Sequence, residues 1–150
     1  MNTAIKHSIL SIILVCLQFI IIFVLLGGTV ISKMNIFAYS LFFASVMLIG
    51  WAVFAMRKSK LRIMPEPSAR AILITDGPYH YIRHPMYTAV LLFSVGLLIC
   101  NFSVLRLVLI IALTIVLIIK LTVEEKLLLQ KFEGYQDYCN RTSKLLPLIF

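Results

Sequence analysis

Acidic residues are scarce in this chain: six aspartates and glutamates stand against 14 lysines and arginines, a formal net charge of +8 over 150 residues. Charge of either sign is thin, at 13% of residues, where a soluble domain carries about a quarter. Hydrophobic residues make up 61% and the mean hydropathy is +1.02, so water cannot be the solvent for most of the surface. Cysteine is limited to Cys16, Cys100 and Cys139, which lack metal-ligand spacing and offer no disulfide framework. Cys16 and Cys100 lie in apolar runs, where a thiol behaves as a small hydrophobe. Glycine is sparse too, and no Gly-rich strand-to-helix turn of the dinucleotide-binding kind occurs. In a soluble chain the basic excess would raise nucleic acid as a partner. In one this apolar it marks loops held on the cytoplasmic side of a membrane, and no nucleic-acid partner is expected.

What is present is a set of four apolar runs, at 8–26, 36–56, 86–100 and 104–121. A helix needs about 20 residues to cross the hydrocarbon core, and the third run is short for that. The first run is longer than a signal-peptide core, and no small-residue cleavage site follows, so it is read as a retained span. Gly27 and Gly28 end it. Arg106 and Lys120 lie near the ends of the fourth run, where long basic side chains can snorkel to the interface. Arg57, Lys58, Lys60, Arg62, Arg70 and Arg83 occupy the loop at 57–85, and Lys126, Lys131, Arg141 and Lys144 the tail at 122–150. The positive-inside rule then places both termini and that loop in the cytoplasm. The expectation is a single all-α, multi-pass membrane domain of four transmembrane helices. Its cytoplasmic loop and a C-terminal helix would form the pocket. Pro65, Pro67, Gly77, Pro78 and Pro85 make the loop an ordered, turning segment.

Polar residues concentrate in two places, both on the cytoplasmic side. One is the stretch from Thr75 to Tyr87, which contains Tyr79, His80, Tyr81, Arg83 and His84. The other is Lys120 to Glu125, with Phe132, Tyr135 and Tyr138 beyond it. Lys120 and Glu124 are four residues apart and share a helix face. Taken singly, these residues read as interfacial anchors, an aromatic belt and acid that neutralises a basic surface. Gln18, Trp51, His7 and His80 read as packing or surface residues.

Taken together and in order, they resemble something more specific. Gly77–Pro78–Tyr79, then Arg83–His84–Pro85–Met86–Tyr87, then Glu124, Glu125, Leu128, Phe132, Tyr135, Tyr138 and Pro147, is similar to the signature of the isoprenylcysteine carboxyl methyltransferase and phospholipid methyltransferase superfamily. The likeness runs from about Arg70 to Phe150, and the first two runs match only as generic hydrophobic helices. It implies S-adenosyl-L-methionine as cofactor, bound without a Rossmann domain. By resemblance, Ile72, Leu73, Ile74, Tyr79, His84, Pro85, Met86, Tyr87, Glu124 and Glu125 would bind that cofactor. Arg83 and Lys120 would be catalytic, Lys120 standing where the prenylcysteine enzymes have an arginine that meets the substrate. Lysine keeps the charge but loses the planar fork that grips a carboxylate. Ala89 stands where the family often has glycine.

The acceptor implied is a lipid-like or prenylated molecule in a bed of membrane lipids, with carboxyl O-methylation favoured. Phospholipid headgroup N-methylation is the nearest alternative, and a non-enzymatic membrane helper that keeps the fold is another. His84 either walls the cofactor or takes a proton. A channel or transporter would need ionisable residues within the spans, which are nearly bare.

Overall fold

A computed structural model describes residues 3–27, 35–57 and 73–146. Its helices are α1 (Thr3–Leu26), α2 (Ile36–Met56), α3 (Pro85–Cys100), α4 (Val104–Lys131) and α5 (Tyr135–Arg141), with a 3-10 turn at Gly77–His80 before α3. Among the described residues there is no strand, only an isolated parallel bridge between Ile82 and Ser143.

The ends follow from local chemistry. The Asn35 side chain accepts from the Ala38 N–H at 2.9 Å and caps α2. Pro85 opens α3, where its missing N–H costs nothing. Residues 101–103 turn the chain from α3 into α4. Helix α4 carries on ten residues past its apolar run and stops at Phe132. Gly134 then adopts a left-handed φ of 84° as the chain re-enters α5.

Helix α2 packs mainly on α3, and α1 on α4. The α2–α3 contact is built from small residues, with Ala38, Ser45, Ala52 and Ala55 buried on one side and Thr88, Ala89, Ser94 and Gly96 on the other. That is how helices approach closely in lipid, where hydrophobicity alone does not drive them together. The Ser45 hydroxyl donates to the Ala89 carbonyl at 2.8 Å across this seam. A Cβ on Gly96 would come within 2.8 Å of the Phe42 ring. The second seam joins Leu14, Ile21 and Leu25 of α1 to Leu97 and to Ile110, Leu113, Val116 and Leu117. Phe19, Phe23, Phe37, Phe43, Phe54 and Leu105 face outward, as lipid contact requires.

Among the described residues three helices, α1, α2 and α4, are long and apolar enough to cross a membrane. The fourth expected span, α3, has 16 residues; at 1.5 Å per residue it is about 24 Å long, short of a ~30 Å core. The turning loop is described only from Leu73 on. Ile72, Pro65, Pro67 and the basic residues Lys58, Lys60, Arg62 and Arg70 lie outside the described residues.

Neither basic residue of the fourth run reaches outward to the interface. Arg106 is only 7% exposed. Its guanidinium donates to the Leu97 carbonyl and to the Gly27 carbonyl, each at 3.0 Å. These carbonyls lie at the C-terminal ends of α3 and α1, where backbone oxygens lack helical partners and a cation is favoured. Lys120 turns to Gln18 of α1, its Nζ 3.3 Å from the side-chain oxygen. A cation at membrane depth is costly unless paired, and these inward partners meet that need. Replacing Arg106 with methionine keeps the bulk and removes both bonds, at an expected loss of about 2–4 kcal/mol. Thermal unfolding in detergent checks this. An unchanged midpoint would assign the guanidinium to headgroups instead of helix ends.

Candidate active site

The chain reaches the site through the 3-10 turn. Gly77 has φ 62°, and a Cβ there would meet the Trp51 indole nitrogen at 3.1 Å and Ala55 Cβ at 3.2 Å. A tight, glycine-dependent contact therefore seats the turn on the end of α2. From it the backbone passes Arg83 and His84 into the first turn of α3.

Arg83 is the hub. Its Nε donates to Glu125 Oε1 at 2.7 Å, and the two side chains are 7% and 12% exposed. Its Nη1 donates to the Cys139 carbonyl at 3.0 Å, to Thr142 Oγ1 at 3.2 Å and to the Thr142 carbonyl. Backbone bonds continue the seam: Arg83 N–H to the Ser143 carbonyl at 2.8 Å, His84 N–H to that of Lys144 at 3.0 Å, and Ser143 N–H to that of Tyr81 at 3.2 Å. The Thr88 hydroxyl donates to the Leu145 carbonyl, and the Tyr138 hydroxyl to the Tyr79 carbonyl, both at 2.6 Å. Residues 142–145 are thus stitched along the entry to α3.

Adjacent residues on a helix point about 100° apart, so the paired glutamates of α4 face different surroundings. Glu125 turns inward, with Lys144 Nζ at 3.6 Å and His84 Nε2 at 3.4 Å besides Arg83. Glu124 is 37% exposed and stands 3.9 Å from His84 Nδ1. It accepts from the Tyr87 hydroxyl at 2.6 Å. The His84 and Tyr87 rings lie parallel, 5.3 Å apart. Lys120 Nζ sits over the Tyr87 ring, 4.9 Å from its centre. His84 is buried, and its Nε2 approaches Glu125 without hydrogen-bond alignment, a buried nitrogen with no hydrogen-bond partner. Burial first, and then the charge of Glu124, push the Tyr79 hydroxyl up to about 12. It therefore stays protonated and can only donate a proton or accept a hydrogen bond. Burial likewise raises the Tyr138 hydroxyl, which serves as a donor.

Of the residues singled out in the sequence, Arg83, His84, Tyr87, Lys120, Glu124 and Glu125 meet directly, and Tyr79 lies within reach of the Glu124 charge. Pro85 and Met86 form the first turn of α3 behind them, buried and half-buried. Leu73 and Ile74 are half-buried ahead of the 3-10 turn and take no part in the polar cluster. Ile72 is outside the described residues. Three contributors went unrecognised in the sequence: Thr88, the segment from Thr142 to Leu145, and Gln18 as the partner of Lys120. Thr88 left one signal, a hydroxyl one helical turn beyond His84 in an otherwise apolar run.

The surroundings suit a small polar molecule with charges of both signs. A half-exposed carboxylate, an imidazole nitrogen without a hydrogen bond and an ammonium gather round Tyr87, with the protonated Tyr79 phenol within the field of the carboxylate. Residues 33–134 match the family model described as phospholipid methyltransferase. No curated protein matches the chain. The matched region runs from α2 through α4 and holds both polar clusters, while α1 and the segment at 142–145 lie outside it. With that match over most of its length, the chain belongs to the phospholipid methyltransferase family, within the superfamily of integral membrane methyltransferases.

Proposed function

We propose that this protein transfers a methyl group from S-adenosyl-L-methionine to a lipid-like acceptor, with carboxyl O-methylation favoured. The observation that carries the reading is the Lys120–Tyr87–Glu124 array, which sets an unneutralised ammonium one helical turn from a half-exposed carboxylate. Among the described residues no carboxylate lies within ion-pair distance of Lys120.

In this reading Glu124 and Tyr79 hold the amino or hydroxyl groups of the cofactor. His84, Pro85, Met86 and Tyr87 form its wall, and the backbone at Leu73 and Ile74 continues it. The His84 nitrogen that lacks a hydrogen bond supports the fit, since a buried polar atom favours a polar ligand beside it. When bound, the cofactor supplies a sulfonium methyl that is already electrophilic, so alignment and exclusion of water are what the protein adds. Tyr87 fixes one oxygen of Glu124 by donating to it. Lys120 orients an anionic acceptor. Glu125 and Arg83 are positioning residues here: their ion pair fixes the guanidinium, whose Nη1 holds Cys139 and Thr142 against the entry to α3. A carboxylate acceptor is ionised at neutral pH and needs no general base.

The chain crosses the membrane four times in this proposal, with α3 as the short crossing and both termini and the site in the cytoplasm. A recessed α3 would let the cofactor enter from water and the acceptor sideways from lipid. A second reading, N-methylation of a phospholipid headgroup, draws on the same His84 nitrogen as a proton acceptor, which an amine requires.

Labelled S-adenosylmethionine incubated with membranes, followed by alkali, separates the two, because methyl esters hydrolyse and methylamines survive. Alkali-labile label is expected. Glu124→Ala should abolish calorimetric binding of S-adenosylhomocysteine while the protein stays in the membrane, and normal binding would displace the pocket. Arg83→Lys keeps the charge but cannot serve Glu125, Cys139 and Thr142 at once. Amide exchange at Ser143 should accelerate roughly tenfold or more, with most turnover lost. Unchanged exchange would remove Arg83 from its positioning role.

A further inference from the structure

We infer that Gln18 of α1 is a positioning residue of the acceptor site: it holds the Lys120 ammonium at membrane depth as the receptor for an anionic oxygen on a lipid-chain molecule. The inference rests on the methyltransferase reading for calling that molecule the acceptor. It adds to the site a helix that lies outside the family match.

Gln18 is 7% exposed and sits near the middle of the apolar window Ile9–Leu26. At 1.5 Å per residue it is about 12–14 Å from either end of that window. A primary amide there is unfavourable unless it is hydrogen-bonded, and its oxygen accepts from Lys120 Nζ at 3.3 Å. Gly27 meets Arg106 and Gln18 meets Lys120, so α1 and α4 run antiparallel. Side chains on a helix lean towards its N-terminus, which for α4 is away from Glu124 and deeper into the apolar region. Gln18 therefore draws the ammonium inward, opposite to the direction in which a lysine near a helix end would snorkel.

What holds the ammonium does not neutralise it. An ammonium has three donors. The groups in contact with it are a neutral amide and the face of the Tyr87 ring, while the Glu124 carboxylate, one helical turn away, acts on it through space without ion-pair contact. These orient a positive charge and leave it able to bind an anion. Through Tyr87 the charge connects to Glu124, whose carboxylate accepts from the same phenol at 2.6 Å. An anionic oxygen on Lys120 would thus lie beside the polar cluster, with its hydrocarbon chain among the apolar residues of α1 and α4. A carboxylate and a headgroup phosphate share this chemistry.

The test uses the purified full chain in neutral detergent micelles. Binding is measured for N-oleoylglycine, for its uncharged methyl ester and for oleoyl lysophosphatidic acid. The wild type should bind N-oleoylglycine roughly tenfold or more tightly than the ester, the factor expected of one well-placed charge-assisted contact. Gln18→Leu, which releases the ammonium, and Gln18→Glu, which neutralises it, should both bring that ratio close to one. Gln18→Met, matched in length, is the further variant if either of these fails to fold. Tighter binding of the phosphate probe would assign the anion to a headgroup, and tighter binding of N-oleoylglycine to a carboxylate; either agrees with the inference. A wild-type ratio near one, or a folded Gln18 variant that keeps the wild-type ratio, overturns it. S-adenosylhomocysteine binding in the same samples reports separately on methyl transfer. A wild type that ignores it ends that reading, while a Gln18-dependent preference for the anion would still stand.

Discussion

The polar end of this molecule, where α3 begins, depends on the ion pair between Arg83 and Glu125. Arg83 follows the 3-10 turn, Glu125 lies late in α4, and 42 residues and a helical hairpin separate them. A buried pair of this kind adds little net stability, because desolvating both charges offsets most of their attraction. Its contribution is location. Once Nε is committed to the carboxylate, Nη1 has a fixed direction, and it meets the Cys139 and Thr142 carbonyls. Helix α5 and the segment after it are then gathered onto the start of α3. The pair also divides the two glutamates, holding one inside and leaving its neighbour half-exposed.

The apolar region obeys a different rule. Hydrocarbon side chains gain nothing by leaving lipid for one another, so small-residue contacts and polar bonds decide which helices meet. The α2–α3 seam uses close approach, with Gly96 under Phe42 and the Ser45 hydroxyl on Ala89. The α1–α4 seam uses two cations at separate levels. Arg106 ties the C-terminal ends of α1 and α3, and Lys120 meets α1 again at Gln18, about two turns before its end. Two such points fix both the register and the antiparallel sense of α1 against α4, which an apolar surface alone leaves free to slide.

What the sequence made legible follows from these rules. Apolar runs report helices well, because each backbone polar group in a membrane must find a partner within its own helix. Both limits of α2 and the C-terminal limit of α1 fall where the runs end, while α1 begins at Thr3, five residues before its run. The joining of the arginine–histidine turn to the glutamates was legible only through the family resemblance, which carries both motifs in one signature. The segment after α5 was not. Its part is played by the carbonyls of Cys139, Thr142, Ser143 and Lys144, and a carbonyl carries no residue signature. Arg106 misled in the opposite way. Its position at a helix end suggested headgroups, but its guanidinium donates to the Leu97 and Gly27 carbonyls at the ends of two neighbouring helices, and only the tertiary arrangement brings these there.

The charges are layered in depth, and the order has a chemical consequence. Arg83 and Lys144 converge on Glu125 at the end of the bundle where α3 begins. Glu124 comes next, half-exposed and bonded to one phenol. Deepest is Lys120, oriented by an amide and an aromatic face that leave its charge uncancelled. Moving inward from water, the protein thus passes from paired ions to a partly available carboxylate and then to an available cation. In the proposed reading, a water-soluble donor would find its complement at the first open level, and an anion tethered to a hydrocarbon chain its own at the second. Tyr87 touches both levels, donating to the carboxylate from its hydroxyl and holding the ammonium over its ring. One side chain therefore sets the spacing between the two complements, and that spacing is what a transfer between a water-soluble donor and a membrane-bound acceptor would require.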